Sequence, residues 1–182
     1  IRSKLRGKFN AYNLLAVWSA SSLLGFSMEK VNKILENIEA PRGRFESFTS
    51  PNVVLVIVDY AHKPDALEKI FSAVKETKSG TGKIISVFGC GGDRDTTKRP
   101  IMGKIGAQNS DVAIFTSDNP RSEDPDQIIK EMKATLSPEE LSKVKTIPNR
   151  REAILEAVKI AQSGDIILCA GKGHETYQIV KG

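Results

Sequence analysis

Four apolar runs, each breaking into a turn crowded with charged and ligating side chains, constrain this chain more than any other feature. They are Leu55–Pro64 (LVIVDYAHKP), Ile84–Asp95 (IISVFGCGGDRD), Val112–Arg121 (VAIFTSDNPR) and Asp165–Glu175 (DIILCAGKGHE). A contiguous apolar run is what a strand buried on both faces requires, and two-sided burial is the rule in parallel sheets. In an open sheet of that kind, ligands bind in the crevice beyond the carboxyl ends of the strands, where loops and helix N-termini converge. Four such turns are expected to share one rim.

The intervening segments have helical length. Strands are expected near Arg44–Phe48, Val53–Asp59, Lys83–Phe88, Ala113–Thr116, Val144–Thr146 and Ile166–Ala170, and helices near Asp65–Thr77, Arg99–Asn109, Pro125–Leu136 and Arg151–Gln162. Pro100 and Pro125 fall where a first helical turn tolerates a missing N–H, and Asp124 is placed to cap. Alternation of this kind predicts βαβ units and an α/β fold with a parallel, twisted sheet. Two further helices precede it. Phe9–Leu24 carries Phe9, Tyr12, Leu15, Ala16 and Leu23 at helical spacing and stops at Gly25. Ser27 is expected to cap Met28–Ile38, with Glu29 in the first turn where the helix dipole favours an acid. Pro41 and Gly43 mark a break. Two helices bury too little to stand as a domain, and the chain opens without Met on a turn-like segment. Residues 1–42 are therefore expected to be the tail of a preceding domain, and the chain a fragment.

A net charge of +5, with Lys and Arg scattered along the chain, favours small anionic ligands over nucleic acid. Cys90 and Cys169 read as reduced thiols of a cytoplasmic protein. The sequence shows neither a signal peptide nor an 18-residue apolar span, so no membrane insertion is expected. Two histidines and no Cys/His cluster argue against a metal site.

Among the motifs, Gly80-Thr81-Gly82-Lys83 imitates part of a P-loop but leads into a strand, where that motif needs a helix; it reads as a plain loop. Gly89–Asp95 joins a buried strand to a helix start, which suits an anion, and Arg94 can fork onto a carboxylate unless it merely pairs Asp93 or Asp95. Asp118-Asn119-Pro120-Arg121 is a turn projecting a guanidinium, or an ordinary Asn-Pro turn. Gly171-Lys172-Gly173-His174-Glu175 sets an acid, well suited to an ammonium, beyond another strand. Asp59 stands where an acid bonds a ribose hydroxyl in dinucleotide folds, and His62 is an acid–base or capping candidate. Asn10 and Asn13 share one helical face, where a hydrogen-bonding role would offset their poor helix propensity.

Taken together, GKFNAYNLLA, APRGRFE, VDYAHKPDALE, VFGCGGDRDTTKRPIMG, TSDNPRSEDP and GKGHETYQ closely resemble the Mur ligases of cell-wall synthesis, in that family's order and over nearly the whole chain. Within the family the match is to the branch that adds the third amino acid of the peptidoglycan stem. The resemblance implies that residues 1–42 end the central ATPase domain and that 43–182 form the C-terminal, Rossmann-like ligase domain. It also implies ATP and Mg²⁺ as cofactors, with the P-loop, the metal ligands and the UDP-sugar domain upstream of this chain. The implied reaction phosphorylates the terminal carboxylate of UDP-N-acetylmuramoyl-L-alanyl-D-glutamate; the incoming amine then attacks the acyl phosphate. Asn13 would read adenine, Arg44 would contact nucleotide phosphates and Asp59 the ribose, with His62 close to the nucleotide. Arg94, Asp118, Asn119, Pro120, Arg121, Gly171 and Glu175 would bind the amino acid. Lysine-adding relatives generally lack the Arg of the DNPR turn, so Arg121 implies meso-diaminopimelate. The fragment alone is expected to be inactive. The alternatives are a lysine-adding ligase, a folylpolyglutamate or cyanophycin synthetase, or a non-catalytic flavodoxin-like or dinucleotide-binding module. Gly89–Arg94 departs from the Gly-x-Gly-x-x-Gly turn that the last would need.

Overall fold

A computed structural model describes residues 1–78 and 80–181. The chain divides into two compact units, Ile1–Pro41 and Arg42–Gly182, at the break marked by Pro41 and Gly43.

In the first unit, α1 (Lys8–Leu23) and α2 (Met28–Asn37) form a pair. The α1 C-terminus closes with Gly25 N donating to Ser22 O and Phe26 N to Ser21 O, the paired bonds of a Schellman motif. Trp18 Nε1 donates to Asn32 Oδ1 at 3.0 Å across the pair. Ser27 occupies the N-cap of α2, yet its hydroxyl makes no capping bond; only its carbonyl enters the helix, accepting from Val31 N. Phe9, Tyr12, Leu15 and Leu23 are exposed and α1 buries Leu14 alone, which is what two unsupported helices can achieve.

The second unit is a six-stranded sheet. Its elements in order are β1 (Glu46–Thr49), β2 (Leu55–Asp59), α3 (Pro64–Thr77), β3 (Ile84–Phe88), α4 (Lys98–Asn109), β4 (Val112–Phe115), α5 (Pro125–Lys133), α6 (Pro138–Ser142), β5 (Val144–Thr146), α7 (Arg150–Ile160) and β6 (Ile166–Ala170). Sheet order is β1-β2-β6-β3-β4-β5, parallel throughout except for the antiparallel β1–β2 pair. The last strand thus inserts between β2 and β3. Asp59 pairs in register with Ala170, Val87 with Cys169 and Phe88 with Phe115, so four strands end level and their turns face one crevice.

Strands β3 and β6 are buried at every residue, as their unbroken apolar sequence requires. One face of the sheet is covered by α3, α4 and α5, with Leu67, Phe71, Met102, Ile129 and Met132 meeting Phe88 and Phe115. Against the other face α7 sets Ala153 and Ala157 over Ile85, Val87 and Ile114. Both cysteines are free and buried, and burial pushes the Cys90 thiol up to about 12, far from a reactive thiolate.

The elements follow the sequence pattern with end shifts of a few residues. Helix α5 stops at Lys133, three residues early, and β1 starts two residues late. Asp124 caps α5 by accepting from Asp126 N at 3.0 Å. The short α6 was not expected, although Ser137 and Glu140 spell a capping box, and both of its bonds form. Gly80–Gly82 leads directly into β3, as a plain loop would. Among the described residues no helix is long and apolar enough to cross a membrane.

Candidate functional site

The four polar turns converge on one cavity of about 310 Å³ at the carboxyl rim of the sheet. Tyr60, His62 and Lys63 come from the end of β2; Gly89, Gly91, Arg94 and Lys98 from beyond β3. Asp118, Asn119 and Arg121 follow β4, and Gly171 and Glu175 follow β6. Six of the seven residues expected to bind an amino acid therefore line one space. The seventh, Pro120, sits in the same turn, its carbonyl packed against Gly92 so closely that a Cβ at 92 would overlap it.

The two arginine side chains border the same glycine. A Cβ on Gly91 would lie 3.0 Å from Arg121 Nη1 and 3.8 Å from Arg94 Cγ. Among the described residues neither Arg94 nor Arg121 meets a carboxylate: Arg94 Nη1 donates to Asp93 O at 3.2 Å, and Arg121 Nη1 to Gly92 O at 2.8 Å and Asn119 O at 3.2 Å. The bland alternative for Arg94, pairing with Asp93 or Asp95, is not realised. Asp93 accepts from the Ser122 hydroxyl and N–H, and Asp95 from the Thr97 hydroxyl and N–H. Those bonds hold both carboxyls below the usual carboxylate range.

The turns brace each other. Gly92 N donates to Asn119 O at 2.9 Å, and Asp93 N to Glu123 Oε1 at 2.5 Å. Beneath them Arg99, fully buried at the start of α4, joins Glu123, Glu131 and the Gly91 carbonyl. The segment after Tyr177 zips onto the Asp118–Arg121 turn. Arg121 N donates to Ile179 O, Lys181 N to Arg121 O, Ile179 N to Asn119 Oδ1, and Gln178 Nε2 to the carbonyls of Ser117 and Asp118.

The two acids of the cavity differ. Glu175 is already engaged: Lys172 Nζ lies 2.6 Å from its Oε2, Asn119 Nδ2 3.3 Å from the same atom, and the Tyr60 hydroxyl 3.4 Å from Oε1. Burial pushes its carboxyl up, but the bonds from Lys172 and Asn119 outweigh that and hold it below the usual range. The sequence reading left Lys172 without a role, and the pairing changes what Glu175 can do: its Oε2 is already taken. Asp118 Oδ2, by contrast, is buried without a hydrogen-bond partner among the described residues. It lies 2.9 Å from where a Cβ on Gly171 would stand, and Gly171 has φ +104, a backbone region that favours glycine.

Among the residues expected at a nucleotide, Asp59 accepts from Phe45 N at 2.7 Å on Oδ2 and from Ala61 N at 2.8 Å on Oδ1. Each oxygen keeps acceptor capacity for a ribose hydroxyl. Burial raises the Asp59 carboxyl against these bonds and the nearby Arg44 charge. Arg44 is exposed. His62 Nδ1 lies 2.9 Å from Tyr60 O and its ring meets the Tyr60 ring edge-on. Asn13 belongs to the first unit, where its Nδ2 is 3.5 Å from Asn10 Oδ1. Among the described residues no three His, Cys, Asp or Glu side chains gather as a metal-ligand cluster.

Sequence reasoning missed Lys98 and Arg150. Lys98 opens α4, where the dipole disfavours a cation; it lines the cavity and its Nζ donates to His62 O at 3.4 Å. Arg150 donates to Ala170 O at 2.9 Å and Ser117 O at 3.5 Å, tying the exits of β6 and β4. Nothing in the sequence separates it from Arg151.

The sheet's final strand inserts beside the first parallel one, and Arg94, Arg121, Asp118 and Glu175 line one cavity at its carboxyl rim. The chain belongs to the Mur ligase family, matching its glutamate ligase domain over residues 43–173. It is 51% identical over 179 residues to UDP-N-acetylmuramoyl-L-alanyl-D-glutamate–2,6-diaminopimelate ligase of Cytophaga hutchinsonii, covering 98% of this chain and 37% of that protein. The same-named protein of Geobacillus kaustophilus is 49% identical over 180 residues, covering 99% and 36%. A solved structure of a ligase with that name superposes with a TM-score of 0.75 at 39% identity, over 100% of this chain and 37% of that one. A folylpolyglutamate synthase structure from Mycobacterium tuberculosis, at 21% identity and TM-score 0.69, shares the fold. The chain spans little more than a third of the length of these relatives.

Proposed function

We propose that residues 42–182 are the amino-acid-binding part of an ATP-dependent ligase that joins meso-diaminopimelate to UDP-N-acetylmuramoyl-L-alanyl-D-glutamate in the cytoplasm. The carrying observation is the single cavity lined by Arg94, Arg121, Asp118 and Glu175 together. Diaminopimelate has two carboxylates and two ammoniums; the cavity offers two guanidiniums without carboxylate partners, one carboxylate oxygen without a donor, and a second acid. Lysine would leave one guanidinium unanswered. The relatives' names point the same way.

ATP with Mg²⁺ would supply the phosphoryl group that activates the substrate carboxylate, its P-loop and metal ligands coming from outside this chain. Arg44, Asp59 and His62 would contact the nucleotide from the second unit; the family resemblance makes Asn13 an adenine reader and residues 1–42 the end of the central domain. The chain's own part is to orient the amino acid so that an uncharged amine reaches the acyl phosphate, and to exclude water on closure. Separated from the phosphate machinery, it should bind and not turn over.

Arg121→Ala in the full-length ligase tests the assignment. Arg121 Nη1 already has two carbonyl acceptors, so the loss is that of one charged hydrogen-bonded pair. The preference for meso-diaminopimelate over lysine, read by competition binding, should fall about 10- to 100-fold. An unchanged preference would refute the assignment.

A further inference from the structure

Lys172 is not among the residues that line the cavity. It is 7% exposed, and lysine is almost never this buried unless paired. Its Nζ donates to Asn119 Oδ1 at 2.9 Å and to Glu175 Oε2 at 2.6 Å, and lies 5.1 Å from the centre of the Tyr177 ring. Both hydrogen-bond partners do line the cavity.

The bonds decide which atoms those partners offer. Asn119 Oδ1 is fixed by Lys172 Nζ and Ile179 N, so its Nδ2 must face Glu175. Glu175 Oε2 is taken by Lys172, leaving Oε1, among the described residues, with the Tyr60 hydroxyl alone at 3.4 Å. From this we infer that Lys172 is a positioning residue for ammonium recognition. It pins Glu175 Oε2 and the Asn119 amide so that Oε1 is presented to a ligand's ammonium. The inference rests on the proposed amino-acid site. An ionised carboxylate with one oxygen on a fixed cation retains room for a second donor on the other. Without Lys172 the Asn119 amide keeps its Ile179 bond, but the Glu175 carboxylate loses the bond that fixes its orientation and has to be ordered when a ligand binds. The penalty falls on ligands that bring an ammonium to Glu175, and ligands without one escape it.

The experiment compares residues 1–182 with Lys172→Met by ¹H–¹⁵N NMR titration. The ligands are meso-diaminopimelate and 2-aminopimelate, which keeps the distal carboxylate and lacks the distal ammonium. Lys172→Met should weaken diaminopimelate about three- to tenfold, the cost of ordering one freed side chain on binding. It should leave 2-aminopimelate within about twofold, the scatter expected of uncoupled changes. On a Glu175→Gln background, Lys172→Met should alter diaminopimelate binding by no more than about twofold, because the route runs through Glu175. Equal losses for both ligands, or additive losses in the double variant, would overturn the inference. A wild-type chain whose spectrum is unmoved by diaminopimelate would overturn the site reading itself. Should Lys172→Met lose its dispersed spectrum, Lys172→Arg, which keeps the charge and alters the reach, carries the same two-ligand comparison.

Discussion

Replacing Arg99 by Met should destabilise the second unit by about 3 kcal/mol. The guanidinium is fully buried, with Nη1 2.8 Å from Glu123 Oε2 and 2.7 Å from Glu131 Oε2, and Nη2 2.8 Å from Glu123 Oε1 and 3.3 Å from Gly91 O. Breaking a buried ion pair by removing one partner costs about 3–5 kcal/mol. Two features place Arg99 at the lower end. The stranded Glu123 and Glu131 side chains are 29% and 33% exposed and relax toward water. Arg99 Nε is itself buried without a partner, so its removal returns part of the loss, and the Met side chain fills most of the space. At about 3–4 °C per kcal/mol for a unit of this size, the midpoint should fall by about 10 °C. Urea unfolding followed by circular dichroism gives the free energy, and a thermal scan the midpoint. Arg99→Met/Glu123→Gln/Glu131→Gln removes the stranded charges and keeps an oxygen at 123 to accept from Asp93 N. It should return to within about 1 kcal/mol of wild type, as buried ionic triads do when neutralised whole. A neutral single variant, or a triple variant no better than the single, would refute this account of the brace.

Two further outcomes are expected. Gly92→Ala drives a Cβ into the Pro120 carbonyl and should cost about 1–3 kcal/mol, with ¹⁵N shift changes spreading from Gly92 to Asn119 and Arg121; changes confined to residues 91–93 would contradict the tie between the turns. Glu123 and Glu131 have carboxyls held below the usual range, chiefly by the Arg99 bond in Glu123 and by Gln127 and Arg99 in Glu131. Depressed acids add stability that is complete above their unfolded range and is lost as pH falls through the folded values. Asp59, raised by burial, works in the opposite sense and recovers a part. The urea midpoint should therefore drop from neutral pH to below about pH 4, more steeply in wild type than in Arg99→Met; parallel curves would count against the assignment.

The sheet was legible because β3 and β6 are buried along their whole length and their sequences are correspondingly apolar. The convergence of the turns was legible because strand ends imply a rim. The partners behind the rim were not. Lys172 looked like any loop lysine, since nothing in Gly171–Glu175 tells whether an ammonium faces water or turns inward. Arg150 and Arg151 are adjacent and chemically identical, and only the position of α7 against β4 and β6 turns one toward the Ser117 and Ala170 carbonyls. The Gln178–Lys181 segment was opaque for a similar reason. Its pairing with Arg121 is a single isolated bridge, too short to leave a period-two pattern.

Backbone strain at Arg121 shows how this rim is organised. Its φ of +52 lies in the left-handed region, which costs a non-glycine residue about 1–2 kcal/mol and persists only where the surroundings over-determine it. They do so here: its N–H and C=O are bound to Ile179 and Lys181, and its Nη1 to Gly92 O and Asn119 O. The polar groups that are satisfied are those that lock turn to turn. Among the described residues, groups at the cavity without such bonds include the remaining guanidinium N–H groups of Arg121, those of Arg94, and Asp118 Oδ2. On the proposed reading these meet the ligand, so the ordering cost was met when the domain folded and little of it is charged to binding. Gln178→Ala, which removes two donors to the Ser117 and Asp118 carbonyls without touching the cavity, should accordingly weaken diaminopimelate binding about three- to tenfold through lost preorganisation. It should also raise ps–ns mobility at residues 118–121 in ¹⁵N relaxation. An affinity loss with an unchanged relaxation profile would show that the turn is held by other means, and that the strap formed by residues 178–181 is packing alone.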